Sequence, residues 1–230
     1  MKLIDRALFK FLKIERSYSQ SGEDKILRHL FNACQKETIE YLDIGANHPV
    51  VSNNTFLFYR TGSRGVCVEP NPKFSDLIRR YRPNDICLDI GLGRDAVTEA
   101  DFYVMSAHTL STFSKFDAEE LERSGNYSIE SVLRIPLRSM NSVVEEYFAE
   151  PPDLVSIDAE GLSEDIINSF DFGRCRPFCF CVETITFSEN GDGKKIGRIF
   201  DVFEKHGYEV YADTRINTIF VDSTTPNRYH

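Results

Sequence analysis

The chain has 230 residues, enough for one α/β domain with a buried core. It is 41% hydrophobic and 27% charged, a globular composition, and its formal net charge is −9. That acidic balance speaks against a nucleic-acid partner, because phosphate binding needs a basic surface, and no apolar run approaches the ~20 residues of a membrane-spanning helix.

The N-terminal stretch MKLIDRALFKFLKI places Leu3, Ile4, Ala7, Leu8 and Phe11 on one helical face, with Lys2, Arg6, Lys10 and Lys13 around it. Residues 1–18 therefore read as an amphipathic helical segment that docks on the domain or lies on an anionic membrane surface. Asp5, Arg6 and Lys10 interrupt any signal-peptide core. Residues 19–230 read as one domain. Its strands are expected over 40–44, 65–69, 85–90, 153–158 and 178–183, with a final antiparallel pair over 208–212 and 217–221. Helices are expected over 24–34, 54–60, 73–81, 140–148, 163–169 and 194–206. Alternating strands and helices predict a mostly parallel sheet with helices on both faces. The segment 98–136 breaks the rhythm and reads as a substrate-facing insertion over the sheet. The six cysteines (34, 67, 87, 175, 179 and 181) show no CxxC spacing and read as buried, reduced thiols, as suits the cytoplasm.

In open parallel sheets, ligands bind beyond the carboxyl ends of the strands. Here the first strand ends Asp43-Ile-Gly45-Ala46-Asn47, the second Glu69-Pro70-Asn71, and the third Asp89-Ile90-Gly91. The fourth ends Asp158-Ala-Glu160-Gly161 and the fifth Glu183-Thr184. Each parallel strand thus closes on a carboxylate, more than helix capping alone explains. A nicotinamide site would want GxGxxG after the first strand, and only Gly45 is present. S-adenosylmethionine fits better, since it has no phosphate and carries a cationic amino-acid moiety. Asp43, Gly45, Ala46 and Asn47 would meet its methionyl part. Glu69, with Pro70 and Asn71, would hold the ribose diol, and Asp89 and Ile90 would flank adenine. Two other readings stand beside this one: a silent Rossmann-like binding domain and an NAD-dependent oxidoreductase.

The segments SQSGEDKIL (19–27), DIGANHPVVSNNTFLFY (43–59), GSRGVCVEPNP (62–72), RPNDICLDIGLG (82–93), STFS (111–114), LVSIDAEGLSEDII (154–167), RPFCFCVE (176–183) and NTIFVD (217–222) resemble FkbM-type methyltransferases. The resemblance implies a Rossmann-like class I methyltransferase fold and S-adenosylmethionine-dependent O-methylation of a glycan, sugar or natural-product hydroxyl. It also implies that the segment around Gln20, Glu23 and Asp24 folds over cofactor or acceptor. The family's usual Asn before Thr-Phe-Ser is Ser111 here.

Methyl transfer is an in-line displacement, so a carboxylate near the acceptor hydroxyl can orient it or take its proton. Asp158 and Glu160 are the candidates, and His48 is the rival base. His108, Thr112 and Glu183 are candidate acceptor contacts. Asp158, Glu160 and Glu183 leave room for a divalent ion, but no spacing is a metal signature and no ligands are assigned. Nothing in the sequence specifies an oligomeric state.

Overall fold

The computed structural model describes residues 16–93, 97–159, 162–186 and 193–224. Most of the amphipathic N-terminal segment, and Glu160, lie outside the described residues.

Ten strands are described: β1 (Glu40–Ile44), β2 (Arg64–Val68), β3 (Ile86–Leu88), β4 (Gly91–Leu92), β5 (Glu99–Met105), β6 (Ile129–Arg138), β7 (Leu154–Ile157), β8 (Cys179–Glu183), β9 (Tyr208–Asp213) and β10 (Asn217–Asp222). The helices among the described residues are α1 (Glu23–Ala33), α2 (Phe56–Arg60), α3 (Pro72–Tyr81), α4 (Lys115–Arg123), α5 (Met140–Tyr147), α6 (Ser163–Asn168) and α7 (Gly197–Lys205). None is long and apolar enough to cross a membrane.

Seven strands form one sheet in the order β3-β2-β1-β7-β8-β10-β9, parallel except for β10. This is the Rossmann-like α/β fold expected, with its C-terminal antiparallel hairpin. The chain winds outward from β1 to β3 and then crosses to β7, so strand order reverses between β1 and β7. A crevice opens at such a switch point. A second sheet, β4-β6-β5, pairs the long β6 antiparallel to β5 and parallel to β4.

The pleat sorts the main sheet's side chains onto two faces. Leu42, Ile44, Val66, Val68, Val155, Ile157, Phe180 and Val182 pack with Met140, Val143, Ile166, Ile167, Ile199 and Phe203 of α5, α6 and α7. Tyr41, Leu154, Cys179, Cys181, Ile219 and Val221 pack with Leu27, Leu30, Phe31 and Phe58 of α1 and α2. Cys67, Cys179 and Cys181 are buried, whereas Cys34, Cys87 and Cys175 are partly so. Burial pushes the Cys87 thiol up to about 12 and Cys175 up to about 11, and it raises Cys67, Cys179 and Cys181 as well, so these five stay protonated at neutral pH.

Asp43 shares the α1/α2 face with Tyr41, and there it meets a fully buried arginine. Arg82 donates to Asp43 Oδ2 (3.3 Å), Asp85 Oδ2 (2.7 Å), Thr55 Oγ1 (2.8 Å) and Asn53 Oδ1 (3.3 Å). Tyr41 Oη donates to Asp85 Oδ2 (2.7 Å), and Asp85 Oδ1 accepts the Gly65 N–H (3.1 Å). Two buried carboxylates therefore depend on one guanidinium. Arg82→Leu strands both charges and should cost about 3–5 kcal/mol in urea unfolding. A loss under about 1 kcal/mol would show that water or protonation replaces the arginine.

Candidate functional site

A cleft with about 590 Å³ of empty space opens at the carboxyl ends of β1, β2 and β7, roofed by the 108–113 segment. Gly45, Asn47, Glu69, Pro70, Asn71, His108, Thr112 and Asp158, all singled out from the sequence, line it.

Gly45 shapes its floor. Its φ is +71°, and a Cβ there would lie 1.8 Å from the Asp158 carbonyl oxygen. Only glycine lets the ends of β1 and β7 approach this closely, which leaves exposed backbone for a ligand to rest against. The Gly45 and Ala46 N–H groups both donate to the Val68 carbonyl (3.0 and 3.2 Å), tying the loop to β2. Ala46 is buried beneath the loop with Cys67 and Ile78, outside the cleft lining.

Glu69 is almost wholly buried. Its Oε2 accepts the Asn47 N–H and its Oε1 the Asn71 N–H, both at 2.7 Å, which fixes the plane of the carboxyl group. Burial pushes its pKa up to about 7; the two backbone bonds oppose this, and the charges of Asp43 and Asp158 add to it. Asn71 then bridges cleft and roof. Its Oδ1 caps α3 through Lys73 N–H (3.1 Å), while its Nδ2 meets His108 Nδ1 (3.4 Å) and Ser111 Oγ (3.5 Å). Ser111 Oγ also accepts the Met105 N–H (3.1 Å), so this hydroxyl ties β5 to the cleft rim. Thr112 pairs through its backbone with Tyr103 across the same rim.

Asp158 follows β7 and lines the cleft; Glu183 ends the neighbouring strand β8 beside it. Burial pushes the Asp158 carboxyl up to about 6, the Glu183 contact opposes this, and the negative charges of Asp43 and Glu23 add to it. Glu23 is itself held in place: its Oε1 accepts from Thr214 Oγ1 (2.7 Å) and Asn217 Nδ2 (3.0 Å). Asp24 accepts from Ser17 Oγ (2.7 Å), the Tyr18 N–H (2.7 Å) and Ser19 Oγ (3.0 Å), and the Tyr18 carbonyl takes the Asn53 N–H (2.9 Å). The residues before α1 thus dock on the loop that leaves the cleft.

Four candidates stand elsewhere. The pleat puts Asp43 behind the cleft, where its Oδ2 accepts from Asn53, Thr55 and Arg82. His48 closes a turn: its Nδ1 accepts the N–H groups of Val50 and Val51, both at 3.1 Å, and the ring is outside the lining. Because β3 stops at Leu88, Asp89 turns outward to an ion pair with Arg79 (2.5 Å). Ile90 packs on the α5-side core. In their place the apolar walls are Phe74, Leu92, Phe102, Phe113, Leu162 and Ile166. Sequence reasoning missed these walls. The alternation in β5 carries a signal for Phe102, but nothing local marks Phe113 as its partner at 4.8 Å. Among the described residues, no group of three or more His, Cys, Asp and Glu is arranged to hold a metal.

The glycine floor, the buried diol-sized carboxylate and the flat apolar walls match the parts of S-adenosylmethionine. Together with the strand order they define a class I S-adenosylmethionine-dependent methyltransferase. The chain belongs to the FkbM methyltransferase family: the family model described as "Methyltransferase FkbM domain" matches residues 43–210. No curated protein matches the chain in sequence. Among solved structures it is similar to a TehB-like SAM-dependent methyltransferase from Corynebacterium glutamicum, at 10% identity and TM-score 0.46, over 95% of this chain and 96% of that one. It is also similar to an O-methyltransferase from Bacillus cereus in complex with SAH, at 11% identity and TM-score 0.42, over 94% and 88%.

The raised pKa of Glu69 has a thermodynamic signature. The folded protein holds that proton up to about pH 7, whereas an unfolded glutamate releases it near 4.5. Between those values the folded state binds more protons, so this group's contribution to stability falls as pH rises. In cofactor-free protein, the stability of wild type relative to Glu69→Gln should fall by up to about 3 kcal/mol from pH 4.5 to 7.5, at 1.36 kcal/mol per pKa unit. Denaturant unfolding of both proteins across pH measures it, and a flat difference would remove the assigned proton.

Proposed function

We propose that the protein O-methylates a neutral hydroxyl on a glycan, sugar or natural-product acceptor, and that Asp158 orients that hydroxyl and receives its proton. The carrying observation is that two carboxyl groups, the buried Glu69 and the half-buried Asp158, face one cleft across the Gly45 floor. When bound, the cofactor supplies an electrophilic methyl group on a sulfonium. The residues that would hold it are Gly45 and Asn47 at the methionyl end, Glu69 at the ribose, and Phe74, Leu92 and Phe113 around the base.

Several features support a neutral acceptor. Among the described residues the cleft lining includes no lysine or arginine, so there a phosphate or carboxylate acceptor would meet Asp158 and Glu69 without a counter-charge. His108 and Thr112 sit on the roof, where they can hydrogen-bond a polar acceptor. Glu183 supports Asp158 from behind. A silent binding domain would not need the strained Gly45 contact or the buried Glu69, and a dinucleotide site would need the glycines that are missing.

Glu69→Ala should weaken S-adenosylmethionine binding by about 2–3 kcal/mol in calorimetry, because one or two charge-assisted hydrogen bonds are lost. Asp158→Asn keeps size and hydrogen bonding but removes the base. It should bind cofactor while turnover falls by roughly 10²–10⁴. The assay is transfer of isotope-labelled methyl from S-adenosylmethionine into a pool of glycans and metabolites, with the product identified by mass. Wild-type turnover in Asp158→Asn, with loss in His48→Ala, would move the base to the histidine.

A further inference from the structure

Asp158 and Glu183 stand at the ends of neighbouring parallel strands. The β7–β8 register pairs Ile157 with Val182, so the next residue on each strand brings the two carboxyl groups side by side. The Glu183 carboxyl bears on Asp158 directly, opposing the rise that burial causes there. Two carboxylates have only acceptors, so carboxyl groups set side by side can bond one another only through a shared proton. The surroundings hold that proton in place. Glu23 on α1 and Asp43 on β1 add negative charge around the pair. Asn217, opposite Glu183 in the β8–β10 register, spends its amide on Glu23. Lys195 makes its bonds to Thr184, Thr218 and Asp213. Among the described residues the pair thus has these acidic neighbours, and Asp158 is the member that lines the cleft.

We infer that Asp158 and Glu183 work as a single proton-sharing unit, which gives up its proton when a positive charge enters the cleft and regains one from the acceptor as that charge is lost. The inference rests on the methyltransferase reading and extends it. Glu183 becomes a positioning residue that sets the proton affinity of Asp158 without touching the acceptor. The balance closes. The acceptor's O–H bond breaks as its O–CH3 bond forms, the S–CH3 electron pair stays on sulfur, and the released proton goes to the carboxyl pair. The pair starts with two negative charges against one positive charge and ends with one negative charge against none. Its appetite for a proton thus rises at the moment the acceptor must shed one.

The test needs no acceptor. S-adenosylmethionine and S-adenosylhomocysteine share ribose, base and amino acid but differ by the methyl group and its positive charge. Any proton released by Glu69 at the ribose is common to both, so their difference reports on the charge-sensing pair. Titrations in two buffers of different ionisation enthalpy count the protons. At pH 6 the methylated ligand should release about half a proton more than the demethylated one, and at pH 8 the difference should vanish. Glu183→Gln, whose amide can donate to an ionised Asp158, should abolish the difference at pH 6 while S-adenosylmethionine still binds. Equal proton release by the two ligands in wild type overturns the pair but leaves the methyltransferase reading standing. A difference that persists unchanged in Glu183→Gln assigns the proton to Asp158 alone and also overturns the pair. Failure of both ligands to bind overturns the functional reading, and the inference with it.

Discussion

The interaction on which the rest depends is the fully buried contact of Arg82 with Asp43 and Asp85. A guanidinium is costly to bury, and it stays ionised here because its donors meet two carboxylates, a hydroxyl and an amide oxygen, with the Tyr41 and Tyr59 rings 5.4 and 5.6 Å away. These contacts bind the end of β1, the approach to α2, the end of α3 and the start of β3. Asn53 extends the hold: its Nδ2 donates to the Ala46 carbonyl (3.0 Å), and its N–H reaches Tyr18. The cleft loop is therefore shaped from behind, by groups that never touch its contents.

With the loop held rigid, the cleft can keep two carboxyl groups in surroundings that resist their ionisation. Glu69 and Asp158 are both pushed upward, chiefly by burial. An isolated domain gains nothing from this arrangement, because each buried carboxyl lowers stability near neutral pH. The gain comes on binding. In the function proposed above, a ligand with diol hydroxyls and positive charge would compensate both groups, so binding strength and selectivity for a cationic cofactor would come from the same electrostatic strain. The roof adds a different device. Asn71 links the Glu69 loop to His108 and Ser111, so the 108–113 segment is in contact with the loop that carries the buried carboxyl group.

Much of this was legible in the linear chain. Alternating short apolar runs and helices gave the parallel sheet, because burial on both faces leaves continuous apolar strands and forces helical crossovers. The carboxylate closing each strand, the single Gly45 and the family segments pointed to the right cofactor class. Gly45, Asn47, Glu69, Asn71 and Asp158 lie where their position just past a strand end places them. What the chain concealed was side-chain direction. Asp43 ends a strand as Glu69 does, but the pleat sends it to the opposite face, toward an arginine 39 residues away. Asp89 was one residue beyond a short edge strand, which freed it to turn outward to Arg79. The apolar walls come from four separate elements and the loops beside them, and the carboxyl pair from two strands whose ends meet only in register. The sequence by itself determined the element types, the family and the residues at the strand ends, because these follow from local pattern and composition. Only the tertiary structure decided which carboxyl groups face the cleft, which are bound into the core and which stand side by side, because those outcomes depend on pleat parity, strand register and contacts between residues far apart in the chain.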